Sequence, residues 1–171
     1  AFAFACGFSK VYHVERGESL SRLVARNTRA LALEDKFDAI HADCMQWLDI
    51  QKCRFDVLYL DPARRDIRGL KVSSLKACEP DLSQVWGLLL SRAEIVAVKL
   101  SPGLDIDAAL KELAGIYEVH VLSIGSECKE CCFLAKKGWG GEAKIVCTNY
   151  GAGHGWRWFD FSRNEEKSLE G

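Results

Sequence analysis

Leu58-Tyr59-Leu60-Asp61-Pro62-Ala63-Arg64-Arg65-Asp66 opens on apolar side chains and closes with four charges around a proline. From Phe55 to Leu60 the chain is nearly all apolar, as a strand covered on both faces should be, so a parallel sheet is indicated with an acid at its carboxyl end. Downstream, Asp81 to Ala93 is helical, with Leu82, Val85, Trp86, Leu89 and Leu90 on an inner face, and Glu94 to Leu100 returns as a strand. Pro102-Gly103 breaks the chain before a helix from Asp105 to Ile116 capped by its aspartate. Tyr117 to Ile124 and Glu130 to Lys136 follow as two strands with no helix between them, which predicts an antiparallel hairpin.

Upstream, Val11 to Glu15 is a short strand, followed by a helix from Gly17 to Leu33 with Leu20, Leu23, Val24 and Leu31 at helical spacing. Asp38 to Ala42 is a second strand, and Met45 to Leu48 forms one helical turn. Strand and helix alternation predicts a doubly wound α/β sheet with right-handed crossovers. After residue 138 the texture changes. Ala143 to Asn149 and Trp156 to Phe161 read as two strands joined by Gly151 to Gly155, followed by a charged tail. The expected organisation is thus a core over 1–138 and a small β extension with its tail over 139–171.

With 171 residues and 49% hydrophobic character, the chain can bury a sizeable core. Lys plus Arg number 23 and Asp plus Glu 24, so contact with a nucleic acid would need a local basic patch. Apolar runs such as Ile95 to Leu100 fall far short of the roughly 20 residues of a membrane helix. No membrane association is expected. Eight cysteines, mostly single within apolar patterns, read as small buried hydrophobes in a reducing cytoplasm. Cys128-Lys-Glu-Cys131-Cys132 has half of a zinc spacing, but no second CxxC or HxxxH completes it, so no metal is expected.

In such a sheet, ligands bind beyond the carboxyl ends of the strands. Acids stand at three of these places: Glu15, Asp43 and Asp61. The order Val14-Glu15-Arg16, Ala42-Asp43-Cys44 and Leu60-Asp61-Pro62-Ala63-Arg64, then a strand, a helix and a closing hairpin, resembles the class I S-adenosylmethionine-dependent methyltransferases. The segments LDPARRD (60–66), CEPDL (78–82), VKLSPGLDID (98–107) and ECKE (127–130) are more narrowly similar to a bacterial group of assigned but uncharacterised methyltransferases. These carry a THUMP-like or ferredoxin-like extra module. The likeness spans about residues 1 to 137.

The resemblance implies a Rossmann-like sheet and S-adenosylmethionine as cofactor. It implies that Glu15, with Arg16, meets the ribose hydroxyls, that Asp43 and the Cys44 amide meet the adenine, and that Asp61, Pro62 and Arg64 border the methyl-transfer centre, with Asp61 also contacting the cofactor. Arg64, Arg65 and Lys99 would hold an anionic substrate, RNA being the implied class. The family's first strand and glycine-rich loop would stand before Ala1, and Ala1 to Gly7 reads as the end of the first helix. The chain is therefore expected to be truncated, to bind cofactor weakly by itself, and to expose sheet edges that permit self-association. Asp-Pro-Ala-Arg is also similar to the motif of RNA 5-methyluridine methyltransferases, whose cysteine after the fifth strand attacks the pyrimidine. Val98-Lys99-Leu100-Ser101-Pro102 has no cysteine, which favours direct transfer to a nitrogen.

Each residue also has a structural reading. Glu15 can cap the helix beginning near Gly17, and Asp43 can be an N-cap. Asp61 can pair with Arg64 or Arg65, and Lys99 can be a snorkelling side chain. Trp156, Trp158, Phe159 and Phe161 fit a packed hairpin face better than a base-stacking platform. A non-catalytic nucleic-acid- or protein-binding module on the same fold is the alternative function.

Overall fold

The structure, a computed structural model, describes residues 7–64, 75–153, 155–162 and 165. The chain divides between Lys52 and Cys53 into two compact units. In the first, β1 (Val11–Glu15), α1 (Glu18–Ala30), β2 (Phe37–His41) and α2 (Cys44–Ile50) follow one another. β1 and β2 pair in parallel from Val11 opposite Phe37 to Glu15 opposite His41, so their carboxyl ends finish level. α1 stops three residues earlier than its periodicity suggests. Ala32 takes the left-handed conformation at φ 51°, and the Leu33 amide reaches back to the Thr28 carbonyl at 3.0 Å.

The inner face of α1 differs from expectation. Leu20, Leu23 and Leu31 are about half exposed, while Ser21 and Thr28 are buried. Small side chains let a helix come close to a two-stranded sheet, and the Thr28 hydroxyl satisfies itself by donating to the Val24 carbonyl at 2.9 Å.

The second unit begins with β3 (Phe55–Leu60), followed by β4 (Ala63–Arg64), a 3-10 turn at Leu75–Ala77 and β5 (Cys78–Glu79). Next come α3 (Leu82–Arg92), β6 (Ala93–Leu100), α4 (Ile106–Glu112) and four strands: β7 (Ile116–Ile124), β8 (Glu127–Lys136), β9 (Lys144–Gly151) and β10 (Gly155–Ser162). Six of these strands form one sheet in the order β10-β9-β7-β8-β6-β3. β3 runs parallel to β6 and β7 parallel to β9, whereas β6–β8, β7–β8 and β9–β10 are antiparallel. The hairpin expected as a separate β extension therefore continues the main sheet through β7. One face of the sheet is the core: Val96, Val98, Val119 and Phe133 have no exposed surface, and α3 packs against β6 with Leu82, Trp86 and Leu89 buried. Burying a side chain such as Phe133 stabilises the fold by roughly 1.5–3 kcal/mol.

Helices α3 and α4 are each capped by an aspartate. Asp81 accepts from the Ser83 amide at 3.0 Å, and Asp105 accepts from the Ala108 amide at 3.1 Å. α4 ends at Glu112, short of Ile116, because the chain turns at Gly115 with φ +81° to enter β7. A Cβ there would lie 2.5 Å from the Lys136 carbonyl oxygen, so only glycine fits.

A bulge shapes β8. Leu122 faces Glu130 but Ser123 faces Cys128, which leaves Lys129 as the extra residue and turns Cys128 to the same face as Cys131. Cys131 is buried opposite Leu100, whereas Cys132 points to the other face opposite Lys99, as alternation requires. Burial, reinforced by Cys128, pushes the Cys131 thiol up to about 12, which keeps it protonated and inert. The seven described cysteines are free, and among the described residues no helix is long and apolar enough to cross a membrane.

Candidate functional site

The level ends of β1 and β2 are tied together by the backbone. The Ala42 amide donates to the Glu15 carbonyl at 3.1 Å, and His41 Nε2 lies 3.1 Å from the Arg16 carbonyl. Glu15 Oε1 accepts from the Gly17 amide at 2.6 Å, which closes the turn into α1 and fixes the carboxylate. Gly17 leaves room for this: a Cβ would stand 3.0 Å from the same oxygen. Asp43 Oδ1 accepts from the amides of Met45 and Gln46, both at 3.0 Å, so Asp43 is the N-cap of α2. Cys44 opens that helix, and desolvation followed by the Asp43 charge raises its thiol above the ordinary value.

Past β3 and β6 the arrangement depends on distant residues. Leu60 pairs with Val98, so Asp61 and Lys99 emerge side by side on one face. Lys99 Nζ lies 2.5 Å from Asp61 Oδ2 and 3.6 Å from Glu130 Oε1. Lys99 is thus held between two carboxylates that are each about half exposed, and it is not a snorkelling side chain. The hydrogen bond to Asp61 raises the Lys99 pKa above its ordinary 10.5, with Glu130 adding to the effect and partial burial opposing it. Tyr59 shares the face of Asp61. Burial and then the Asp61 charge push its phenol up, so it remains a hydrogen-bond donor at neutral pH.

Pro62 carries the chain from Asp61 into β4, where Ala63 pairs with Glu79 and Arg64 with Cys78. The segments LDPARRD and CEPDL are therefore joined by a short ladder, while LDPARRD, VKLSPGLDID and ECKE are joined by the ion pairs of Lys99. The Arg64 side chain and all of Arg65 lie outside the described residues. Asp61 and Lys99 are brought together. Glu15 and Asp43, with Arg16 and Cys44 beside them, belong to the first unit.

Glu130 and Cys132 are the residues that the sequence reading missed. Glu130 lay within a motif but carried no signal of its partner, because the β6–β8 register brings it near Lys99. Cys132 stands directly opposite Lys99, a cysteine beside the site after all. Burial and then Glu130 push its thiol up, with Lys99 only partly offsetting them, so it is a poor nucleophile. Among the described residues no group of three or more His, Cys, Asp or Glu is arranged to hold a metal ion.

No protein-family model matches the chain, and no curated protein matches it. Among solved structures, one from Porphyromonas gingivalis W83, described as a "putative methyltransferase", matches with a TM-score of 0.79 and 27% sequence identity. The match covers 97% of this chain and 41% of that one, so the chain spans well under half the length of its structural neighbour. Together with the strand order and the positions of the four helices, this likeness shows that the chain carries a Rossmann-like methyltransferase fold.

Proposed function

We propose that this chain serves methyl transfer from S-adenosylmethionine to a nitrogen of a nucleic-acid acceptor, RNA being the class that the sequence resemblance implies. The observation that carries the reading is the Asp61–Lys99–Glu130 cluster past the parallel β3–β6 pair, the place where such sheets present reacting groups. In this reading Asp61 accepts a hydrogen bond from the acceptor amine and aligns its lone pair with the methyl group, while Pro62 shapes the turn and Lys99 balances the carboxylate's charge. As the N–C bond forms the S–C bond breaks with release of S-adenosylhomocysteine, and the amine's proton passes by way of Asp61 to solvent. Arg64 and Arg65 hold a phosphate of the acceptor. In this reading transfer is direct, without a covalent enzyme intermediate, and the raised thiol of Cys132 supports it.

The cofactor's nucleoside falls to the first unit. Glu15 Oε1 is oriented by the Gly17 amide, and a carboxylate has acceptor capacity left for ribose hydroxyls beside Arg16. Asp43 spends Oδ1 on its cap, which leaves Oδ2 for the adenine amino group next to the Cys44 amide. Bound S-adenosylmethionine would supply the electrophilic methyl. Free cysteines fit a cytoplasmic enzyme.

Amide NMR with millimolar S-adenosylhomocysteine tests the cofactor side even at weak affinity. The expected result is shifts at Glu15, Gly17, Asp43 and Cys44, and an unchanged spectrum would overturn the assignment. The acceptor side is tested by transfer of tritiated methyl to total RNA, with DNA as the comparison. Asp61→Asn should abolish transfer and leave the S-adenosylhomocysteine-induced shifts at Glu15, Gly17, Asp43 and Cys44 intact.

A further inference from the structure

The hairpin β9–β10 does not have the packed face that its aromatic pattern suggested. Trp156, Trp158 and Phe159 are 63%, 70% and 62% exposed, and Tyr150 on the adjacent strand is 41% exposed. Tyr150 and Trp156 touch, with ring centroids 5.0 Å apart, and Phe159 stacks on Phe161 at 6.2 Å on the opposite face. β10 is also the last strand in the sheet order, so among the described residues no strand pairs with its outer edge. The Ser162 amide at its end is already taken, donating to Glu165 Oε2 at 2.6 Å, but a strand that ends a sheet and carries exposed indoles is a template for another strand.

We propose that β10 is the docking edge for a second copy of this chain, joined by antiparallel β10–β10 pairing about a two-fold axis normal to the sheet. Such an axis keeps each face of the sheet continuous, so residues can pair only with residues of their own face. The register centred on Trp158 satisfies this. It sets Trp158 against Trp158 of the second copy, Arg157 against Phe159 in both directions, and Trp156 against Asp160. Arg157 then lies over an aromatic ring, and the Trp156 N–H meets a carboxylate.

Charge argues against a polyanion as the occupant. Affinity for nucleic acid rests on neutralising several phosphates, yet β9 and β10 carry only Lys144 and Arg157 as cations, and Lys144 is already paired with Asp160 at 2.8 Å. At about 200 Å² per aromatic side chain, the exposed rings of β10 present roughly 400 Å². A stable interface buries about 800 Å² per partner, so even with the backbone edge added the dimer should be reversible.

Sedimentation equilibrium of the full chain from 1 to 200 μM tests the proposal. The expected result is a mass rising with concentration from 19.1 kDa toward twice that value. Trp158→Glu and, independently, Phe159→Lys should return it to monomer without altering the circular dichroism spectrum, while Leu23→Glu, on α1, should leave the dimer unchanged. A monomer at every concentration would overturn the proposal. So would a dimer indifferent to both β10 variants, or a monomer whose tryptophan fluorescence is quenched by single-stranded RNA.

Discussion

The carboxyl ends of β1 and β2 and those of β3 and β6 both present acids past parallel strands, but they hold them differently. Glu15 and Asp43 are fixed by amides two or three residues away. Asp61 is held by a lysine 38 positions later, on a strand whose own register positions Glu130. The first arrangement is local and survives as long as the turn does. The second exists only when β3, β6 and β8 are all in place, so changes in the sheet core should separate the two.

The largest separation is expected from Phe133→Ala. Emptying a fully buried site should cost about 3–5 kcal/mol in urea denaturation and raise amide exchange in β6 and β8. Exchange protection around Gly17 and Asp43 should change far less, and equal loss at both places would break the contrast. The converse substitution, Asp43→Ala, should cost about 1 kcal/mol by removing the cap of α2. Its signature is faster exchange at Met45 and Gln46 with no change near Lys99.

Acid should weaken the first unit next. Burial lowers the His13 pKa from 6.5, and Nδ1 has no hydrogen-bond partner among the described residues. The unfolded chain therefore binds this proton more readily, so the His13 contribution is complete above about pH 6.5 and is lost as pH falls below it. Denaturation midpoints measured from pH 7.5 to 5.5 should fall less in His13→Gln than in the parent. Lys99 behaves in the opposite sense: its raised pKa makes its contribution constant through neutral pH and lost only as pH rises past 10.5. The smallest effect belongs to Lys99→Met. A partly exposed pair of this kind is worth about 1 kcal/mol or less, so the melting temperature should move by only a few degrees at most. A larger drop would mean that Lys99 supports the sheet as well as Asp61.

Much of this was legible along the chain. The run Phe55 to Leu60 announced a strand, and Asp43 and Asp105 each cap a helix as their positions suggest. The cover expected on both faces of that strand is not found among the described residues, because β3 ends the sheet order, none of its residues is buried and Tyr59 is 43% exposed. The face of α1 was not legible, because hydrophobic periodicity counts leucines and gives no weight to Ser21 or Thr28, whose small size decides how closely the helix approaches. Glu130 was hidden for a different reason. Strand register depends on pairing across the sheet, and the bulge at Lys129, just before Glu130, leaves no mark that periodicity can detect. The exposed tryptophans of β10 could not be told from buried ones, since alternation is the same whichever side is covered.

The connection between β7 and β8 bears on the order in which the molecule assembles. Only Gly125 and Ser126 separate these strands, whereas residues 61–92, α3 among them, lie between β3 and β6. Closing the short turn costs little chain entropy, so the hairpin should form early and the β3–β6 pairing late. Pulse-labelled hydrogen exchange during refolding should show β7 and β8 amides protected before those of β3, and the reverse order would refute this. Asp61 and Lys99 would then meet only in the final stage of folding, so no partly folded chain could present the site.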